Sequence, residues 1–120
     1  MYFNNYETIY ILKPQVTEEE NLQLVNHYKS LIKKYSGQNI LVQHKGRRHL
    51  SYNINSYYDG IYVQINYQAS SSFIKILERS MSLSEHIIRY LTIKDNKKKD
   101  VNVDNYFSYI KIKKELINTG

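Results

Sequence analysis

Residues 17–37, TEEENLQLVNHYKSLIKKYSG, constrain the fold more than any other stretch of this chain. Thr17 and Glu20 stand at capping-box spacing, and Glu18 to Glu20 put negative charge where a helix dipole favours it. Leu22, Val25, Tyr28, Ile32 and Tyr35 recur every three or four residues as one apolar stripe. Lys33 and Lys34 fall in the last turn, and Gly37 suits the position just past the end. A helix with one apolar stripe needs an apolar surface to lie on, and its flanks supply one. Residues 4–12, NNYETIYIL, read as a strand ended by Lys13-Pro14. Residues 39–54 read as a long extended segment with Gly46 inside it, which signals a bulge or a close backbone approach.

The pattern continues downstream. NSYYDG supplies a turn whose strongest signal is Asp59-Gly60. IYVQINY then alternates, with Ile61, Val63 and Ile65 on one face and Tyr62, Gln64 and Asn66 on the other, as a half-buried strand does. A shorter helix spans 71–82, with Ile74, Leu77 and Met81 inward and Ser70, Ser71 or Ser72 as its cap. Residues 86–94, HIIRYLTIK, form the last strand. The order βαββαβ predicts an α+β, ferredoxin-like split βαβ: a four-stranded antiparallel sheet with two helices on one face. Residues 1–94 make that domain. Residues 95–120 form a basic C-terminal extension, with residues 94–120 holding a net +3 of the chain's +6, and it ends in an amphipathic stretch around 106–116. It is expected to fold against a partner or to stay partly disordered.

Composition removes several function classes. At 120 residues there is room for one core. The net charge of +6 and pI of about 9.4 favour an acidic partner such as nucleic acid. Without cysteine there are no disulfides, thiolate metal sites or cysteine nucleophiles. No apolar run approaches the ~20 residues of a membrane span. The N-terminal stretch lacks signal or transit character, so the protein is expected to work where it is made. Thirteen tyrosines, a single alanine (Ala69) and many Ile, Asn and Lys indicate an A/T-rich genome, organellar or bacterial. His27, His44, His49 and His86 have no ligand spacing among them, and neither a nucleophile motif nor a glycine-rich phosphate loop is present. No cofactor, metal, small-molecule substrate or catalysis is expected.

Two binding features remain. Tyr10 in IYIL and Tyr62 in IYVQI loosely match the base-stacking aromatics of RNA-recognition-motif domains, although Asp59-Gly60-Ile61 stands where a basic residue and glycine belong. The second is KGRRHLSYNI, residues 45–54. Alternation puts Arg47, His49 and Ser51 on one face and Arg48, Leu50, Tyr52 and Ile54 on the other. Arginine holds a phosphate bidentately, which lysine cannot do. Arg48, in step with Leu50 and Tyr52, is expected to turn towards the helices or their rim. The competing reading is a charged edge strand that resists aggregation.

On these residues the chain resembles the bacterial-type small-subunit ribosomal protein six family. YETIYILKP is similar to the family's opening Tyr-Glu, apolar strand and proline. GRRHLSYNI is similar to its most characteristic stretch through Gly46, Arg47, Arg48, Leu50, Tyr52 and Ile54. DGIYVQI fits the third strand, and HIIRYLTIK the fourth, with Arg89 at a position that is often arginine. His49, Ser51 and Asn53 depart from the usual basic residue, Ala and Pro, and Ile88 stands where a second Arg is common. The resemblance covers residues 4–94. It implies a non-catalytic structural constituent of the small subunit that binds small-subunit ribosomal RNA together with small-subunit protein eighteen. Arg47, Arg48, His49, Arg89, Lys97, Lys98 and Lys99 are the expected RNA- or partner-binding residues. A plastid ribosome is the expected setting, with a bacterial cytoplasm as the alternative. The competing functions are a free single-stranded RNA binder of the RNA-recognition-motif type and a small phosphatase. The phosphatase would need its arginine in a loop, whereas Arg47 and Arg48 lie in a strand pattern.

Overall fold

The computed structural model describes residues 3–54 and 56–95. Its elements are β1 (Asn4–Leu12), α1 (Glu18–Lys34), β2 (Gln38–Ile54), β3 (Tyr57–Ala69), α2 (Phe73–Ser82) and β4 (Ile87–Asp95). The strands lie in the order β2-β3-β1-β4 with every neighbouring pair antiparallel, which is the expected ferredoxin-like sheet. Lys97, Lys98, Lys99 and the rest of the extension beyond Asp95 lie outside the described residues.

α1 begins and ends by distinct devices. The Glu20 amide donates to the Thr17 hydroxyl at 3.1 Å and the Thr17 amide to Glu20 Oε1 at 2.9 Å, a complete capping box. At the other end the Ser36 amide reaches the Lys33 carbonyl at 3.0 Å and the Gly37 amide the Ile32 carbonyl at 2.8 Å, a Schellman pair. Ser36, at φ 66°, takes the left-handed position there rather than Gly37. Gly37 is needed for space instead, because a Cβ would fall 2.3 Å from Ile32 Cγ2 and 2.9 Å from the Ile32 carbonyl oxygen. α2 lacks the expected side-chain cap. Ser72 stands at its N-cap in helical conformation, and the Phe73 amide bonds the Ser70 carbonyl at 3.1 Å.

Both helices cover one face of the sheet. Tyr6, Tyr10 and Leu12 of β1 and Val63, Ile65, Tyr67 and Ala69 of β3 meet Val25, Tyr28 and Ile32 of α1 and Phe73, Leu77 and Met81 of α2. The α1 stripe is shorter than expected: Leu22 and Tyr35 are largely exposed. Phe73, one residue before the expected Ile74, leads the buried stripe of α2, and Ile74 packs at its margin. Thr8 ties three strands together, its hydroxyl 2.7 Å from Tyr67 Oη and 2.9 Å from Thr92 Oγ1. Tyr10 is fully buried edge-on to Tyr28, and its hydroxyl has no hydrogen-bond partner among the described residues. Burial pushes its ionisation well above the usual tyrosine range. Removing an unpaired buried hydroxyl relieves a desolvation cost, so Tyr10→Phe should stabilise the domain by up to about 1 kcal/mol. Urea denaturation checks this, and a loss of stability would mean that the hydroxyl has a partner.

The expected turn is displaced. Ile54 pairs with Tyr57, so the chain reverses between them, and Asp59 and Gly60 lie inside β3. Their turn chemistry misled because Gly60 serves a close approach. A Cβ there would stand 2.4 Å from Ile11 Cγ2 and 3.3 Å from the Leu12 carbonyl oxygen.

Candidate nucleic-acid interface

The sheet face opposite the helices is partly covered by the chain itself. β2 shifts register at Gly46, whose φ is 83°, and again between His49 and Ile54. Such irregularities bend a strand. The far end of the β2–β3 hairpin curls over this face and joins Leu50, Ile54 and Tyr62 to Ile9, Ile11 and Ile88 in a second apolar cluster. β3 is therefore buried on both sides around Tyr62 to Ile65 rather than half-buried.

This second core settles the aromatic reading. Ile11 pairs with Tyr62 and Tyr10 with Val63, so Tyr10 and Tyr62 point to opposite faces. Both are buried, at 0% and 5% exposure. Two bases cannot stack on them together, so the loose match to base-stacking aromatics does not make a stacking platform.

The basic cluster of β2 divides by parity as its sequence suggests, but the faces are reversed for Arg48. Arg47 pairs with Ile61 and His49 with Asp59, on the helix side of the sheet. Arg48 pairs with Gly60 and follows Leu50 onto the open face, not towards the helices or their rim. The helices pack on the parity of Val63 and Ile61, and the bulge at Gly46 carries that phase across to Arg47. Arg47 is exposed and its Nη2 donates to the Pro14 carbonyl at 2.7 Å. His49 Nδ1 lies 2.6 Å from Asp59 Oδ1, with the imidazole almost fully in solvent. Arg89 pairs with Ile11, so it shares the open face with Arg48; its Nη1 donates to the Ile88 carbonyl at 3.2 Å. Arg48 and Arg89 are each half-buried. The structure thus brings Arg48 and Arg89 to one face and Arg47 and His49 to the other.

A polar row on the open face escaped the sequence reading. Asn66 Nδ2 donates to Glu7 Oε1 at 3.2 Å, and Gln64 Nε2 donates to Asn66 Oδ1 at 2.9 Å. Glu7 is 6% exposed, and burial pushes its carboxyl above the usual 4.5, with Asp95 adding repulsion and Asn66 offsetting part of it. A lone acid inside the apolar β1 was the signal available. Between the unfolded and folded pKa the folded chain binds more protons, so this group costs stability as pH rises through that window. Glu7→Gln keeps an acceptor for Asn66 and removes the charge. The variant should therefore gain on its parent from about pH 4 upwards, read as melting temperature against pH. A parallel pair of curves would show that Glu7 ionises without cost.

Among the described residues, no three His, Cys, Asp or Glu side chains converge on a metal-sized site. No described helix is long and apolar enough to cross a membrane.

Residues 5–94 match the family model for ribosomal protein S6. The chain belongs to the ribosomal protein S6 family. The small ribosomal subunit protein bS6c of the red alga Gracilaria tenuistipitata var. liui is 66% identical over 103 residues, covering 86% of this chain and 100% of its own length. The bS6 protein of the cyanobacterium Trichodesmium erythraeum is 46% identical over 99 residues, covering 82% and 85%. The crystal structure of 30S ribosomal protein S6 from Thermotoga maritima superposes with a TM-score of 0.72 at 26% identity, covering 93% of this chain and 99% of that one. The S6 family is a structural ribosomal family of the small subunit, not a family of enzymes. Relatives of plastid type and of bacteria fit a plastid or bacterial ribosome.

Proposed function

We propose that this S6 protein is a structural constituent that binds small-subunit ribosomal RNA jointly with small-subunit protein eighteen. The observation that carries the reading is the placement of Arg48 and Arg89 on one sheet face, from the two outer strands. Three strand intervals of about 4.8 Å separate those strands, so the guanidiniums suit two separate phosphates of a folded RNA rather than one. Arg47, exposed at the helix-side rim, adds a third contact. A net charge of +6 is modest for a lone RNA binder and suits one that shares the phosphate contacts with a basic partner.

The sheet order supports a second, compatible role for the same residues. β2 is an outer strand, and its bulge and charges discourage strand-to-strand association.

Equilibrium binding to a small-subunit ribosomal RNA fragment, with and without protein eighteen, tests the proposal. Alone, the chain should bind weakly; with the partner it should bind at least about a hundredfold more tightly, a coupling of roughly 3 kcal/mol. Equal affinity in both arms would overturn joint binding, and tight binding to short single strands would favour an independent RNA binder.

A further inference from the structure

A cavity of about 230 Å³ lies at the end of the sheet where β1 runs into α1 and α2 into β4. Lys13, Gln15 and Val16 of the first loop line it, with Glu85 and His86 of the second and Glu20 of α1. The two loops are tied together. The Lys13 amide donates to the His86 carbonyl at 2.9 Å, and His86 Nε2 lies 3.6 Å from Glu20 Oε2. Val16, 8% exposed, supplies an apolar patch. Glu20 already serves as the cap partner of Thr17 and faces His86. Among the described residues, the Lys13 ammonium, the Gln15 amide and the Glu85 carboxylate make no hydrogen bond or ion pair. A cation and an anion that line one cavity without pairing leave both charges to a guest.

Size and charge define that guest. The volume falls below the ~300–1,000 Å³ of sites for drug-sized ligands and suits a single planar ring system. Glu20 and Glu85 repel a bare phosphate, and Lys13 repels a guanidinium or an ammonium. A neutral group that carries both donors and acceptors fits. Its neighbours are the residues assigned above to phosphates: Arg47 Nη2 donates to the Pro14 carbonyl, between Lys13 and Gln15, and Arg89 follows His86 along β4. A carboxylate accepts two adjacent N–H groups, and among the four RNA bases only guanine offers them on its Watson–Crick edge, from N1 and the exocyclic amine beside the O6 acceptor. We propose, resting on the RNA-binding reading, that this cavity takes an unpaired guanine base, with Glu85 accepting from N1–H and the exocyclic amine and Lys13 donating to O6. Gln15 lies within the same lining to supply a second donor, and Val16 covers part of the ring.

The four nucleoside 5′-monophosphates share sugar and phosphate, so differences among them report the base alone. Titrated into the full-length chain and followed by amide NMR, guanosine monophosphate should shift Lys13, Gln15, Val16, Glu85 and His86. It should bind about tenfold or more tightly than the other three. Glu85 is exposed, so Glu85→Gln should leave the spectrum otherwise unchanged. The variant sets an amide N–H against guanine's donors and should erase the preference for guanine without weakening the other three. Equal binding of all four, shifts confined to the arginines, no shift at the cavity, or a preference that survives Glu85→Gln would overturn the proposal. Arginine amide is the control for a basic side chain of a protein partner, and shifts at the cavity with it but not with guanosine monophosphate would also overturn it. This titration needs neither the ribosomal RNA fragment nor protein eighteen, so it can fail while joint binding stands, and the converse holds.

Discussion

On the proposed function, changing Arg47, Arg48 and Arg89 together to Gln should leave the domain folded and weaken its RNA-dependent assembly. Arg47 is exposed and its contact with the Pro14 carbonyl lies at the surface, so its loss costs little. Arg48 and Arg89 stand at the margin of the open face, and Arg89 bonds only to a neighbouring carbonyl in the contact it makes through Nη1. Surface substitutions of this kind usually move stability by less than about 1 kcal/mol each way. RNA affinity responds differently, because each lost phosphate contact lowers the slope of log affinity against log salt by about one. The triple variant should therefore bind with a slope smaller by about three, and the deficit should be plainest at low salt. Gel-shift titrations at several salt concentrations read the slope, and a urea melt of the same sample reads the fold. A variant that unfolds while its parent is stable would make these arginines structural and sink the RNA-facing assignment.

Phe73→Ala should be severely destabilising. The ring is 1% exposed, edge-on to Tyr67 of β3 at 6.1 Å and 5.7 Å from Tyr35 at the end of α1. It thus joins the start of α2 to the sheet and to the other helix. Truncation removes the ring's burial and leaves a cavity that rigid neighbours fill only partly, a loss of about 3–5 kcal/mol. For a domain with a total stability of about 5–15 kcal/mol, that is roughly a fifth or more of what holds it folded. The melting temperature should fall by roughly 15–30 °C, measured by circular dichroism. A fall of only a few degrees would mean that Tyr35 and Tyr67 close the gap.

The helix of residues 18–34 was legible because its signals are local: the Thr17–Glu20 box and the three- and four-residue spacing act within one or two turns. The strand boundaries of β1 were equally legible, since Pro14 closes a run of strand-favouring side chains. Gly46 announced its bulge because a left-handed residue inside a strand leaves few alternatives. The Asp59-Gly60 turn failed for the opposite reason. Glycine marks both tight turns and close approaches, and only Ile11, brought in by pairing across β1 and β3, shows which one applies here.

The candidate site divides along the same line. Period-two alternation separated Arg47 and His49 from Arg48 and Leu50, because successive side chains in a strand leave opposite faces whatever the strand packs against. It could not say which face the helices cover. That was decided by the pairing of β2 with β3 and of β3 with β1, contacts between residues far apart in sequence. The same long-range pairing put Tyr10 and Tyr62 on opposite faces and brought Arg89 from the end of the domain onto the face of Arg48. By itself the sequence determined the elements, their order and the relative phase of neighbouring side chains, all of which act over a few residues. The tertiary structure alone decided absolute facing, the second apolar cluster and the burial of Glu7, because each depends on which distant strand lies alongside.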